Sequence, residues 1–328
     1  MSKPNYELAG KTIVITGASS GAGRAAALEF AQHNAALVLA ARNEAALNEV
    51  ADECREFGAE VLVVATDVTD PRAMISLANT ANDWKNGLHA WINNAGVLAA
   101  GPFDRTPIEV HTQVVQTNLL GYMNGAHAVI PLFKAQGHGI LINNVSIGGF
   151  LPVPYGAGYT ASKFGLRGFS EALKAEFTPW PEIYICDLFP AFLDTPGILH
   201  AANYTGKVLK PAPPVYDPKR VAQAMVAVAK KPDANTYVGS VSYGLKFAHT
   251  LFPELVTKAT GFVMRRYFKS ADPIASTSGN LYNTVNYGMA TNGGFGLSGE
   301  PKAHRKYLIG ALSVGLALGF YLTKGRRS

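Results

Sequence analysis

Lys11-Thr-Ile-Val-Ile-Thr16-Gly17-Ala-Ser-Ser-Gly21-Ala-Gly23-Arg24-Ala-Ala-Ala-Leu-Glu-Phe-Ala-Gln32 decides the fold. The first six residues form a short, β-branched run, suited to a strand buried on both faces. The last nine are strong helix formers. Between them the glycines fall in the spacing G-x-x-x-G-x-G. Glycine lets a chain turn tightly and come close to a pyrophosphate, and the N-terminus of the helix that follows supplies unpaired N–H groups. Strand, glycine turn and helix together make the setting that a dinucleotide site requires. Gly17, Ser19, Ser20, Gly21 and Gly23 are therefore candidate cofactor contacts.

Working outward, the alternation continues. Residues 35–41 predict a second strand and 43–57 a helix. An NAD-preferring site usually places an acid at the end of that strand. Here Ala40-Ala41 is followed by Arg42, whose guanidinium suits a 2′-phosphate, so NADP(H) is expected over NAD(H). Residues 60–66 predict a third strand, ending at Asp67 and Val68, and 88–93 a fourth, ending at Asn93-Asn94-Ala95-Gly96. A helix is expected over 107–136 with Asn118 in its middle, an unfavourable place for Asn. A fifth strand over 139–146 ends at Ser146. Residues 147–158 read as a Gly- and Pro-rich loop, and 159–177 as a helix. A sixth strand over 183–190 ends at Pro190, with Thr195 just beyond. The pattern implies a Rossmann-type, doubly wound parallel α/β sheet with ligand at the carboxyl ends of its strands.

Tyr159 and Lys163 stand four residues apart, so on a helix they share one face. A lysine beside a tyrosine favours the phenolate and lowers the phenol pKa, making it a general acid/base near neutral pH. Residues 9–240 resemble the short-chain dehydrogenase/reductases of the single-domain branch. The resemblance rests on the Thr16-Gly17 to Gly23 loop, Asn93-Asn94-Ala95-Gly96, Asn118, Ser146 and Tyr159 to Lys163, in that order. It implies that Tyr159 is the catalytic acid/base and that Lys163 tunes it while bonding the nicotinamide ribose. It implies that Ser146 polarises the carbonyl and that Asn118 holds a water of a proton relay. Asp67 and Val68 would flank the adenine, with Asn94, Ala95 and Gly96 near its ribose. Pro190 and Thr195 would lie at the nicotinamide, Thr195 bonding its carboxamide. One departure is Ala191, where the family has glycine after the proline.

Residues 192–215 contain several prolines and read as a substrate lid. Phe150, Leu151, Val153, Phe192, Leu193 and Ile198 are expected to make the pocket apolar. The reaction expected is hydride transfer to or from a hydrophobic carbonyl or secondary alcohol. A related-scaffold epimerase or dehydratase, and a non-catalytic NADP(H) sensor, are the alternatives. A homo-oligomer is expected by analogy with the family, pairing through the helices around Asn118 and Tyr159.

The chain has 328 residues and 48% hydrophobic content, enough for one large α/β domain with an extension. Cys54 and Cys186 read as buried thiols, and no metal-ligand spacing occurs. Of 29 Lys+Arg, six lie in residues 301–328, which contain no acid, leaving 23 against 23 Asp+Glu. The excess charge thus sits in the tail, which argues against nucleic acid as a partner. The first residues lack the apolar core of a secretory signal.

The expected domain layout is 1–240 catalytic, 241–270 an amphipathic helical extension, 271–306 a flexible linker, 307–323 a transmembrane helix and 324–328 a basic tail. Phe247, Leu251, Phe252, Leu255, Val256, Phe262 and Val263 recur at helical spacing, with Arg265, Arg266 and Lys269 at the end, suiting a packed helix or one lying on a membrane. Residues 307–322 are uncharged and would span roughly 25 Å, close to the ~30 Å hydrocarbon core of a bilayer. Basic flanks can snorkel across the difference. The expectation is a membrane-anchored enzyme with its catalytic domain in the cytoplasm.

Overall fold

The computed structural model describes residues 4–295. Its main sheet has the strands β1 (Thr12–Thr16), β2 (Ala36–Ala41), β3 (Val61–Ala65), β4 (Ala90–Asn93), β6 (Gly139–Asn144), β7 (Ile183–Pro190) and β9 (Asn235–Val238). All are parallel, in the order β3-β2-β1-β4-β6-β7-β9. Two short strands, β5 (Ala99–Ala100) and β8 (Ala202–Asn203), form a separate parallel pair. The helices are α1 (Gly21–Ala31), α2 (Glu44–Glu56), α3 (Pro71–Lys85), α4 (Ile108–Val115), α5 (Gly121–Gln136), α6 (Ala157–Glu176), α7 (Lys219–Lys230), α8 (Ser240–Leu251) and α9 (Pro253–Ser270).

Side chains of a strand alternate between the faces of its sheet, and each face here has its own core. Ile13, Ile15, Leu37, Leu39, Ile92, Ile140, Ile142 and Leu188 pack against Phe30 of α1, Leu47 and Val50 of α2, and Met225 of α7. Val14, Val38, Trp91 and Leu141 pack on the other side, against Met74 and Leu77 of α3 and Val129 and Phe133 of α5. Sheet order reverses direction between β1 and β4, which opens the crevice of a doubly wound fold at the carboxyl ends of these strands. Cys54 and Cys186 are free and buried, their thiols both pushed up to about 12 by burial.

Three sequence expectations need revision. The helix expected over 107–136 is broken by a π-helical turn, Gln116–Leu120, between α4 and α5. The extension is two helices, divided at Phe252 where Pro253 begins α9, and α9 has no buried residue. The linker expected over 271–306 does not run free of the domain as far as Phe295. Its described residues form no helix, but Thr277 N–H donates to Asn203 O at 3.0 Å, Asn280 N–H to His200 O at 2.9 Å and Gly293 N–H to Asp194 O at 3.2 Å. Polar composition marked it as solvated, whereas main-chain hydrogen bonds dock it. The expected transmembrane helix (307–323) and basic tail lie outside the described residues; among the described residues no helix is long and apolar enough to cross a membrane.

A buried polar cluster ties α6 to the sheet. Asp187 on β7 is fully buried and accepts from Lys174 Nζ at 2.6 Å, Ser170 Oγ–H at 2.5 Å and Asn143 Nδ2 at 3.3 Å. Removing one partner of a buried ion pair strands the other and costs about 3–5 kcal/mol. Asp187→Ala is expected to lower the unfolding free energy by about that amount in urea titrations, and Asp187→Asn by less. A loss below about 1 kcal/mol for the alanine variant would show that the cluster does not anchor α6.

Candidate active site

The glycine turn is shaped by close packing. Gly17 has φ +67°, and a Cβ there would meet the Ala95 backbone; a Cβ at Gly23 would run into the Gly17 carbonyl and the Asn94 amide. The turn brings β1 and the Asn94-Ala95-Gly96 segment together, and Asn94 completes the join. Its Nδ2 donates to the carbonyls of Thr16 (3.1 Å) and Gly17 (3.2 Å), and its Oδ1 accepts from Asn144 Nδ2 at 2.9 Å. Asp67 Oδ1 likewise accepts from Thr69 N–H (2.9 Å) and Oγ (2.8 Å), closing its own turn. Val68 is buried against Gly121. Asn94 and Asp67 thus have structural partners at the crevice where a cofactor was expected.

α1 starts directly behind the turn. Ser20 occupies the cap position without a side-chain cap bond, so the first N–H groups of α1 depend on acceptors from outside the helix, and Gly21 N–H takes Ala290 O at 3.0 Å. Thr195 lies against Gly21, its Cβ 3.3 Å from where a glycine Cβ would be. Pro190 ends β7, and Ala191 N–H bonds Val238 O at 3.0 Å. Arg42 follows β2, its guanidinium reaching the carbonyls of Asn280 (2.5 Å), Tyr282 (3.2 Å) and Leu281 (3.4 Å). The N–H groups at the start of α1 and the Arg42 guanidinium are donors only, a set that suits the phosphates of a dinucleotide.

The catalytic candidates meet at the ends of β4 and β6. α6 carries Tyr159 and Lys163 one turn apart, with Lys163 Nζ 5.9 Å from the Tyr159 ring centre and donating to Asn144 O at 3.2 Å. The Ser146 side chain lies near the Tyr159 phenol and favours its ionised form. Ser146 Oγ also accepts from Gly148 N–H at 3.2 Å, and its backbone has φ +93°, ψ 155°. That region is essentially reserved for glycine, and a serine held there stores strain of the kind found at functional sites. Asn118 sits in the π turn, fully buried, with Oδ1 accepting from Val97 N–H and Nδ2 donating to Val97 O, both at 2.8 Å. Both polar atoms of its side chain are thus anchored on Val97, which fixes where Asn118 stands. A π turn displaces main-chain carbonyls from the regular ladder, and such turns recur at functional sites.

Burial reverses the expected electrostatics of the Tyr-Lys pair. Desolvation raises the Tyr159 phenol, opposed by Ser146, and lowers the Lys163 ammonium to about 7. Burial thus works against the low phenol pKa expected from Lys163. Tyr159 packs instead against an apolar cluster of Val97, Ala99, Val110, Val114, Ala202 and Leu281.

The expected pocket lining is also corrected. Phe150 follows the short Ile147–Gly149 turn and packs on Phe189 and Tyr237, below the Arg167 guanidinium. Leu193 packs against the core beside α1. Leu281, which sequence reasoning placed in a linker, belongs to the apolar cluster that Tyr159 packs against. An isolated leucine and tyrosine in a polar run were the only signal of it.

The family model for short chain dehydrogenases matches residues 11–202. The uncharacterized oxidoreductase YxnA of Bacillus subtilis is 32% identical over 263 residues, covering 79% of this chain and 73% of that protein. The cyclohexanol dehydrogenase of an Acinetobacter species is 30% identical over 231 residues, covering 70% of this chain and 91% of its own. An alcohol dehydrogenase from the archaeon Thermococcus sibiricus, solved in complex with 5-hydroxy-NADP, superposes with a TM-score of 0.62 at 26% identity, over 71% of this chain and 97% of that one. The chain belongs to the short-chain dehydrogenase/reductase family of oxidoreductases.

Lys163 gives a direct test of the site's burial. Between its folded pKa of about 7 and its ordinary 10.5, the unfolded chain holds a proton that the folded chain lacks. Folding is therefore favoured as pH rises through that window. Lys163→Met is expected to raise the melting temperature, most strongly below pH 7, with the gain shrinking as pH approaches 10.5. A gain independent of pH would contradict burial as its cause.

Proposed function

We propose that this chain is an NADP(H)-dependent oxidoreductase acting on the carbonyl or secondary alcohol of a hydrophobic substrate. The observation that carries this reading is the convergence of Ser146, Tyr159 and Lys163 at the crevice where α1 opens. Nicotinamide, when bound, supplies or receives the hydride. Tyr159 gives its phenolic proton to the carbonyl oxygen in reduction and takes it back in oxidation. The Ser146 hydroxyl donates to the same oxygen and steadies its developing charge. Lys163, with a pKa near neutrality, exchanges protons readily and supports the phenolate while it is charged.

Arg42 is the proposed reader of the 2′-phosphate, since no acid stands at the end of β2. The 5-hydroxy-NADP in the archaeal relative supports this preference. The apolar cluster around Tyr159 supports a hydrophobic substrate, as does the name of the cyclohexanol dehydrogenase. A homo-oligomer pairing through α4 and α6 is supported by the exposed Phe103 and Ile108, which border an open depression of about 450 Å³.

Membrane anchoring is proposed from residues 307–323 and from the exposed faces of α8 and α9. Tyr243, Phe247, Leu251, Phe252, Phe262 and Val263 are all more than half exposed. Lys246, Lys258, Arg265, Arg266 and Lys269 accompany them on the same two helices, the composition of a helix pair that rests on anionic lipid. Supply of NADPH favours a catalytic domain on the cytoplasmic side.

Tyr159→Phe is expected to lower turnover of hydrophobic ketones by about 10²–10⁴-fold while NADPH still binds. Retained turnover would favour a non-catalytic or differently reacting protein. Arg42→Ala, in the same assay, is expected to reduce the preference for NADPH over NADH by at least about tenfold; an unchanged ratio would remove Arg42 from cofactor choice. On fractionation without detergent the full chain is expected with membranes, and complete recovery in the soluble fraction would end the anchor proposal.

A further inference from the structure

Residues 272–295 follow a continuous path over the crevice. The path begins as an antiparallel pairing along the lid segment: Val208 N–H to Asp272 O (2.9 Å), Ile274 N–H to Gly206 O (3.1 Å), and Asn203 and Thr277 bonded both ways (2.8 and 3.0 Å). Leu281 then inserts, fully buried, into the cluster beside Tyr159. Around it, the carbonyls of Asn280, Leu281 and Tyr282 accept from the Arg42 guanidinium. Further on, Tyr287 O bonds His200 Nε2 at 2.8 Å and Met289 O accepts from Arg24 at 2.7 Å. Ala290 O accepts from Gly21 N–H, the first of α1, at 3.0 Å. Gly293 and Phe295 N–H groups end the path on Asp194 Oδ1, at 3.1 and 2.8 Å, beside Thr195.

The donors engaged along this path are those assigned above to a dinucleotide. Arg42 is the proposed 2′-phosphate reader, the first turn of α1 is the pyrophosphate cradle, and Thr195 borders the nicotinamide end. The segment meets the first two with main-chain carbonyls and fills the space beside Tyr159 with a leucine. A carbonyl is a neutral acceptor, and phosphate oxygens make hydrogen bonds roughly twice as strong with the same donors. The segment is thus a weaker acceptor on donors that one molecule of cofactor would need together. Its Leu281 also joins the apolar cluster that Tyr159 packs against.

We propose that residues 277–295 are an autoinhibitory strap that occupies the dinucleotide groove, and that NADP(H) binds only as the strap leaves. The proposal rests on the reading that this groove takes NADP(H). Apparent affinity for the cofactor is then the intrinsic affinity scaled by the fraction of molecules with the strap released. Leu281 is the plug whose burial holds that fraction low.

The test uses the full chain and two measurements. NADPH and NADH dissociation constants are determined for the wild type and for Leu281→Asp, which cannot bury its side chain in the cluster. Hydrogen exchange of the Thr277, Asn280, Gly293 and Phe295 amides is followed in the wild type with and without NADP. The strap predicts at least about tenfold tighter NADPH binding by Leu281→Asp and faster exchange of those amides when NADP is added. Slower exchange with NADP would make the segment a lid that closes over bound cofactor, and would overturn the strap. Unchanged exchange, or affinity unchanged or weakened in a folded variant, would overturn it as well. Neither dinucleotide binding to either protein would instead remove the NADP(H) reading itself, and the strap with it.

Discussion

Seven parallel strands impose the constraint on which everything else depends. A parallel pair cannot be joined by a tight hairpin, so each connection must cross a face of the sheet and return. The strands therefore release their chains along one edge, and the chemistry collects there. The glycine turn leaves β1, Arg42 follows β2, Asp67 follows β3, Asn94 follows β4, Ser146 follows β6 and Thr195 follows β7. Residues far apart in sequence become neighbours because the sheet delivers them to the same edge. The direction of the strands also aims the N-terminus of α1 at that edge, with N–H groups that have no partner inside the helix.

Such an edge must be satisfied by something. Buried donors left unpaired are costly, and the Arg42 guanidinium and the Gly21 N–H both find acceptors in the 280–290 segment. Burial also desolvates the acid/base pair, which is why the Tyr159 phenol moves up and the Lys163 ammonium down. Both shifts oppose the charged forms that proton transfer uses.

Much of this was legible in the sequence. β1, the glycine turn and α1 followed from the β-branched run, the glycines and the helix formers, and Tyr159 and Lys163 from a spacing that any helix converts into one face. Ser146 was readable as the last residue of a strand. Other positions were recognised as special, but their partners were not. Asn118 and Asn94 look like ligand-binding groups, and the structure adds that their amides bond Val97 and the β1 turn. An amide's partners depend on which backbone groups stand opposite it, and no local pattern records that. Phe150 and Leu193 look like pocket residues because they are apolar and near the site in sequence, but a short turn and the packing of α1 direct them elsewhere.

Local pattern determined the parallel α/β fold and the strand ends at which the glycine turn, Ser146 and the Tyr159-Lys163 helix meet, and resemblance to a family supplied the roles expected of them. Periodicity, turn chemistry and strand order are properties of neighbours along the chain. Tertiary structure decided the state of that site. The π turn around Asn118, the positive φ of Ser146, the shifted acidities of Tyr159 and Lys163 and the docking of Leu281 all arise from contacts between segments distant in sequence. Residues 271–295 show the difference most clearly. Their composition is that of a solvated linker, but hydrogen bonds and burial depend on what a segment meets, and this one meets an edge rich in unpaired donors.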